Sequence, residues 1–232
     1  MAKKKKMTRK ELLKKPDEFL TFSAKMLNYA LENKSKLAVV LGGIVVLVMI
    51  ISVIRYVSIK AGENALVQLE QSTVKYEELE KEKGAEKAYL DVKADFQQIM
   101  DKYSGKNGGK LARIVFANIC YKGGDSDKAI ELYKEALRDF NNNPSLKSFI
   151  LNGLGYAHEK KKDYKASAKY FEMIASGSDS IMKDEAFFNL GRIYAEMAEK
   201  EKSMEAYKKV VSEYEDSIYI NLAKEKVPGE TG

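Results

Sequence analysis

The chain of 232 residues carries 40 Lys and Arg against 34 Asp and Glu, with one His, one Cys and three Pro. A single Cys excludes a disulfide framework and Cys-pair zinc sites, and a single His excludes zinc helices that need two histidines. The net charge of +6 is unevenly placed: residues 1–36 hold eleven basic and four acidic residues (+7), Arg55 adds one, and residues 56–232 sum to −2. Beyond the leader the chain is nearly neutral, which argues against a large nucleic-acid surface.

From the N-terminus, Thr8-Arg9-Lys10-Glu11 has the spacing of a capping box, opening a short helix that Pro16 stops. After it, Phe19, Phe22, Met26, Ala30 and Leu31 fall mostly three or four apart, so 17–33 reads as an amphipathic helix. Two roles suit it equally: lying on the inner leaflet, or serving as a stiff connector.

Leu37 to Ile54 follows, eighteen residues without a charge or a proline. As a helix it covers roughly 27 Å, close to the thickness of a hydrocarbon core. The run extends to Val57 if Arg55 snorkels into the headgroups and Tyr56 sits at the interface. A cleaved signal peptide fits poorly, because the leader is too long and no small-x-small site follows. Charge asymmetry between the flanks puts the N-terminus in the cytoplasm and residues 58–232 across the membrane. Ala38 and Gly42 form a small-xxx-small pair able to pack against another helix. Lys3 to Lys6 as a nuclear-localisation run is the weaker alternative.

Residues 58 onward read as helices broken by polar loops at Lys83-Gly84, 104–109 (SGKNGG), 123–125, 141–145 (NNNPS), 160–163 and 176–180 (SGSDS). Asn143-Pro144 has the form of an N-cap followed by proline at the first helical position. Two stripes, Leu66/Leu69/Thr73/Tyr76/Leu79 and Ala88/Val92/Phe96/Ile99/Tyr103, predict a helix pair over 61–103.

Three later segments align. Leu151, Leu154, Gly155 and His158 precede Ser167, Phe171 and Ile174; Phe187, Leu190, Gly191 and Tyr194 precede Ser203, Tyr207 and Val210. Phe116, Ala117 and Cys120 precede Ala129, Tyr133 and Ala136. The pattern resembles the tetratricopeptide repeat (TPR), in which W-x2-L-G-x2-Y on one helix precedes A-x3-F on the next. Its glycine column lets the second helix approach, and the aromatic fills the space beside it. Steps of 38 residues (Ala117 to Gly155) and 36 (Gly155 to Gly191) exceed the family period of about 34, and Arg113 stands where a large apolar residue is expected. Ser217 to Val227 predicts a final helix covering the last repeat.

The expected fold is therefore all-α: an N-terminal transmembrane helix followed by an α-solenoid of TPR-like helix hairpins. The division is 1–36 (basic cytoplasmic segment), 37–57 (transmembrane helix), 58–109 (helical hairpin), 110–215 (three repeats) and 216–232 (capping helix and tail).

No P-loop, dinucleotide fingerprint or Gly-x-Ser-x-Gly is present, so no enzyme, cofactor or metal site is expected. His158 and Cys120 share a packing column and are read as buried helix contacts, and Lys160 to Lys162 as a solvated turn. One residue round from the core stripe, the first helices present Ile114, Asn118 and Tyr121; Asn152, Tyr156 and Glu159; and Phe188, Arg192 and Glu196 as a candidate protein-binding groove. Some of these side chains are equally well read as covered by the terminal helices. Likeness to TPR domains that clamp C-terminal carboxylates is weak, since Ile114 and Glu185 stand where those domains place lysines.

Leader, span and repeats together are similar to bacterial inner-membrane TPR proteins of the ancillary SecYEG translocon subunit type. That resemblance implies a membrane-anchored adaptor with the Sec translocon and periplasmic chaperones as partners. A homo-oligomeric scaffold of an envelope, secretion or division complex is the alternative. An N-anchored mitochondrial import receptor is a third reading, which the basic leader disfavours.

Overall fold

The protein's structure, a computed structural model, describes residues 18–177 and 181–227, and every regular element among them is helical. The capping-box helix expected at Thr8 to Pro16 lies outside the described residues. The chain divides into two compact units, Met1–Ser58 and Ile59–Gly232.

In the first unit, α1 (Glu18–Glu32) precedes the start of α2 (Lys34–Lys83). Backbone bonding continues through Asn33, whose N–H donates to Tyr29 at 3.0 Å and whose carbonyl accepts from Leu37 at 2.9 Å. The long apolar run occupies the first half of α2 and is exposed all round, from Val39 at 73% to Ile54 at 62%. Ser52 returns its hydroxyl to the Val48 carbonyl at 2.8 Å, so the run's one hydroxyl is satisfied within the helix.

In the second unit, the rest of α2 runs antiparallel to α3 (Ala85–Lys102). Gly84, at φ 84°, makes the turn. Lys75 pairs with Asp95 at 2.7 Å, and Gln68 donates to the Tyr103 hydroxyl at 3.2 Å. The stripe on α2 differs from the one the sequence predicts. Ala65, Leu69, Ser72 and Tyr76 are buried, whereas Leu66 is exposed. The reason is the neighbour: a Cβ on Gly108 would stand 2.6 Å from the Cβ of Ala65, so this close crossing needs small residues on both sides. The same crossing corrects the 104–109 loop, because Asn107, Gly108 and Gly109 already belong to α4 (Asn107–Lys122).

Three helix hairpins follow: α4 with α5 (Ser126–Asp139), α6 (Pro144–Lys160) with α7 (Tyr164–Ala175), and α8 (Lys183–Glu196) with α9 (Lys200–Glu213). Each of the first three of these turns and loops supplies a side-chain cap. Asp125 accepts from the Lys128 amide at 3.0 Å, Asn143 from Leu146 at 3.1 Å with Pro144 opening the helix, and Asp163 from Ala166 at 3.2 Å. A side chain at Gly155 would meet the Phe171 ring at 2.5 Å, and one at Gly191 would meet Tyr207 at 2.6 Å. The glycine–aromatic column therefore sets the approach of the two helices within a repeat, as its spacing predicts. Phe96 stacks on Phe116 at 5.1 Å, continuing the core toward α3. Each of these large buried side chains contributes roughly 1.5–3 kcal/mol.

The final helix, α10 (Ile220–Lys224), is shorter than Ser217 to Val227. Its flanks are turns, yet they pack: Ala223 and Val227 join Tyr207 and Val210 in a small cluster, and Ser217 donates to Asp184 at 2.6 Å.

Candidate functional site

The first helices of the second and third repeats carry a continuous polar ladder. On α6, Asn152, Tyr156 and Glu159 fall on one face, and on α8 Glu185, Asn189 and Arg192 repeat that spacing. Each α6 residue meets the α8 residue 33 positions further on. Asn152 Nδ2 donates to Glu185 Oε1 at 3.1 Å, and the Tyr156 hydroxyl donates to the same oxygen at 2.8 Å. That hydroxyl in turn accepts from Asn189 Nδ2 at 2.8 Å. Arg192 Nη1 donates to Asn189 Oδ1 at 2.8 Å, and its Nη2 pairs with Glu159. Burial raises the Tyr156 hydroxyl's pKa and the Glu185 carboxylate adds to the rise, although the Asn189 donor works against it. The phenol stays protonated, as its donor role requires.

Asn189 is 1% exposed and Asn152 9%, so both amides are held in place by packing. Asn152 Oδ1 is itself buried and accepts no hydrogen bond from the described residues. The Arg192–Glu159 end of the ladder is partly open, at 39% and 20% side-chain exposure, and offers a donor and an acceptor suited to an extended peptide.

The structure distributes the remaining candidate residues differently. Asn118 accepts from the Tyr133 hydroxyl within its own repeat. Tyr121 is half-buried, with Lys160 Nζ 4.8 Å over its ring and donating to its carbonyl at 2.8 Å. Burial, then Glu159, pushes the Tyr121 hydroxyl's pKa up. Ile114 is 5% exposed and belongs to the wall behind the face. Phe188 lies against Tyr219 of the C-terminal turn, with ring centroids 4.8 Å apart and planes 18° from parallel. Glu196 is exposed at a cavity of about 730 Å3 that Phe188, Arg192 and Leu222 also line. Ala38 and Gly42 lie on the apolar half of α2, and space beside Gly42 is open.

Glu185 and Asn189 escaped the groove prediction, because the repeat was aligned by its core column at 36 residues. Neighbouring first helices meet about one turn out of that register, so the polar partners recur at 33. The same step links Asp184 to Ser217, which places the C-terminal segment where the first helix of a further repeat would begin.

Other singled-out residues are structural. Cys120 is fully buried, and that burial pushes its thiol up to about 12. His158 Nδ1 lies 3.0 Å from Asp163 and its ring 5.3 Å from Tyr170. Arg113 fits an apolar position by laying its stem between the helices of its repeat and pairing with Asp139 and, at 3.3 Å, Glu135. Among the described residues no group of three or more His, Cys, Asp or Glu could hold a metal ion.

The fold and its ladder-bearing face define a helical-repeat scaffold of the kind that mediates protein–protein interaction, a class that is typically non-catalytic. Residues 34–226 match the tetratricopeptide repeat-like domain family, and the chain belongs to it. No curated protein matches the chain. Among solved structures it is similar to BtubC (BKLC) from P. vanneervenii, with 11% identity, a TM-score of 0.51, and 71% of this chain and 81% of that one covered. It is also similar to a kinesin light chain protein of nearly identical TPR-like repeats from P. anserina, with 11% identity, a TM-score of 0.54 and coverage of 68% and 83%. The apo form of RapI gives 13% identity and a TM-score of 0.54, covering 72% of this chain and 46% of that one. At such identities the shared property is the fold.

Proposed function

We propose that the protein is a membrane-anchored adaptor: 37–57 spans a bacterial inner membrane with the N-terminus in the cytoplasm, and the repeats bind proteins at the periplasmic face. One observation carries this: an eighteen-residue apolar helical window of which none is buried, in a chain whose C-terminal part is a TPR-like scaffold. An all-round apolar surface is costly in water and is the form a bilayer-spanning helix takes. The +7 leader supports the orientation. Anchoring raises the effective concentration of the repeats for membrane-bound partners. Within this reading 110–215 are the binding repeats, their first helix opening at Asn107, and 216–232 are their cap.

The groove centres on Asn152, Tyr156, Glu159 and Arg192, with Glu185 and Asn189 completing it. Arg192 and Glu159, the partly exposed end of the ladder, meet the bound segment, and Tyr121, Phe188 and Glu196 flank it. The partners in this reading are the Sec translocon, periplasmic chaperones and newly exported proteins, a set that the likeness to the ancillary SecYEG translocon subunit family supports.

Two measurements test this. A cysteine placed at Ser104, in the turn before α4, is modified by a membrane-impermeant reagent from the periplasmic side; modification only from the cytoplasmic side overturns the orientation. A photo-crosslinker at Tyr121 or Tyr156 in native membranes recovers translocon subunits or exported clients. Recovery of self-adducts alone replaces the adaptor by the homo-oligomeric scaffold.

A further inference from the structure

Among the described residues, nothing covers the apolar face of the amphipathic helix α1. Phe22, Met26, Leu27, Tyr29 and Leu31 are each between 57% and 64% exposed. At 100° per residue these five fall within about 200° of the helical wheel, while Thr21, Lys25, Asn28 and Glu32 crowd into about 60°. Such a face is not stable in water, and something covers it.

We propose that the cover is the lipid bilayer itself: α1 lies in the headgroup region of the cytoplasmic leaflet, with Phe22, Met26 and Leu27 turned toward the acyl chains and Lys25 toward water. The proposal rests on the reading of 37–57 as a membrane span and adds a second attachment to the same membrane. Three features of the chain select lipid over a partner protein. The first is continuity, because only Asn33 separates α1 from α2 and the apolar run starts within a turn of that junction. The second is charge. Lys34 and Lys36 are exposed at the junction, at the level of anionic headgroups, and the leader before α1 is strongly basic. The third is the width of the apolar arc, which exceeds the narrow stripe that a single partner helix covers. Asn33 alone lies outside both helices, and because backbone bonding continues through it, lying in the leaflet requires α1 to bend away from the span at this residue.

The test uses the full chain in a Cys120→Ala background, so that the native buried thiol is removed at the cost of little volume. Single cysteines at Phe22, Met26, Lys25, Asn28 and Ile44 carry an environment-sensitive fluorophore, and the protein is reconstituted into phosphatidylethanolamine–phosphatidylglycerol vesicles. Probes at Phe22 and Met26 are expected to emit to the blue, to be quenched by shallow lipid-borne spin labels, and to be shielded several-fold from aqueous iodide relative to Lys25 and Asn28. Ile44 is quenched by deep spin labels only. Equal iodide access at all four α1 positions, with Ile44 still deep, overturns the α1 proposal and leaves the span intact. Iodide access at Ile44 overturns the span, and this proposal with it. Shielding of Phe22 and Met26 in native membranes but not in pure lipid vesicles overturns the lipid assignment in favour of a protein cover.

Discussion

The two seams of the repeat region are built from opposite materials. Within a repeat, Gly155 meets Phe171 and Gly191 meets Tyr207 in dry contact, with Phe171 and Ile174 almost fully buried. Between the second and third repeats, on the face of the first helices, the contact is the polar ladder from Asn152 through Glu185, Tyr156, Asn189 and Arg192 to Glu159. Dry contact is non-directional and rewards area, so it supplies stability. A hydrogen-bonded ladder contributes little net energy per bond, but it is satisfied in one register only, so it fixes how successive repeats step.

The largest effect should come from the dry seam. Phe171→Ala removes a ring with no exposure and leaves a cavity against Gly155, at an expected cost of about 3–5 kcal/mol. Urea denaturation of the detergent-solubilised chain, followed by circular dichroism, reads this as a lower midpoint at unchanged slope. Adding volume on the other side of the seam, by Gly155→Ala, places a Cβ against the same ring and costs about 1–3 kcal/mol from overpacking, partly offset by better helix propensity. If Phe171→Ala costs less than Glu185→Ala, the dry seam is not what holds the hairpins.

Glu185→Ala tests the ladder. It strands the Asn152 amide and the Tyr156 hydroxyl together, and leaving buried donors unmade costs about 1–3 kcal/mol. Glu185→Gln keeps an acceptor for the same donors and is expected to lose less than half of that. The two variants should also separate binding from folding: if the ladder forms the groove, Glu185→Gln weakens crosslinking from Tyr121 while leaving the urea midpoint near the wild type.

How much of this was legible beforehand follows from what each seam is made of. The dry seam repeats residue types at fixed spacing, so Gly155/Phe171 and Gly191/Tyr207 could be paired from the sequence. Asn143-Pro144 likewise announced its own cap, and the charge-free run announced a helix with no polar side. The ladder was half visible. Asn152, Tyr156, Glu159 and Arg192 were read on the face that carries the ladder, but Glu185 and Asn189 were not, because the offset between neighbouring helices is a tertiary quantity that no single helix encodes. Local patterns fail similarly at close crossings. Leu66 looked like core and Gly108-Gly109 like loop, yet the approach of α4 to Ala65 exposed the first and made the second helical. The covering of Phe188 by Tyr219 depends on a short terminal turn whose sequence has no strong period.

A smaller effect belongs to the aspartate caps, which stand outside both seams and titrate. The Ala166 amide holds the Asp163 carboxyl below its ordinary value, with His158 adding to the effect although the slight burial opposes it. A depressed carboxylate stabilises the fold above its unfolded pKa, and that contribution is lost as pH falls through the folded value. Asp163→Ala is expected to cost about 1 kcal/mol at pH 7. Asp163→Asn keeps the cap without the charge, so its urea midpoint should fall less than that of the wild type as the pH is lowered from about 4 toward 2.

The smallest expected effect is at Lys75, which pairs with Asp95 at 2.7 Å across the α2–α3 pair. Both side chains are well exposed, at 50% and 39%, so solvent screens the attraction and two flexible side chains must be ordered to make it. Lys75→Ala is expected to move stability by less than about 0.5 kcal/mol, and raising the salt concentration should move the wild type no further than the variant. Here the contrast with the ladder is sharpest: an ion pair of good geometry contributes almost nothing in water, while the amides of Asn152 and Asn189, held under packed side chains, have no solvent to fall back on. A loss at Lys75 as large as that at Glu185 would mean that burial is not what gives the ladder its weight.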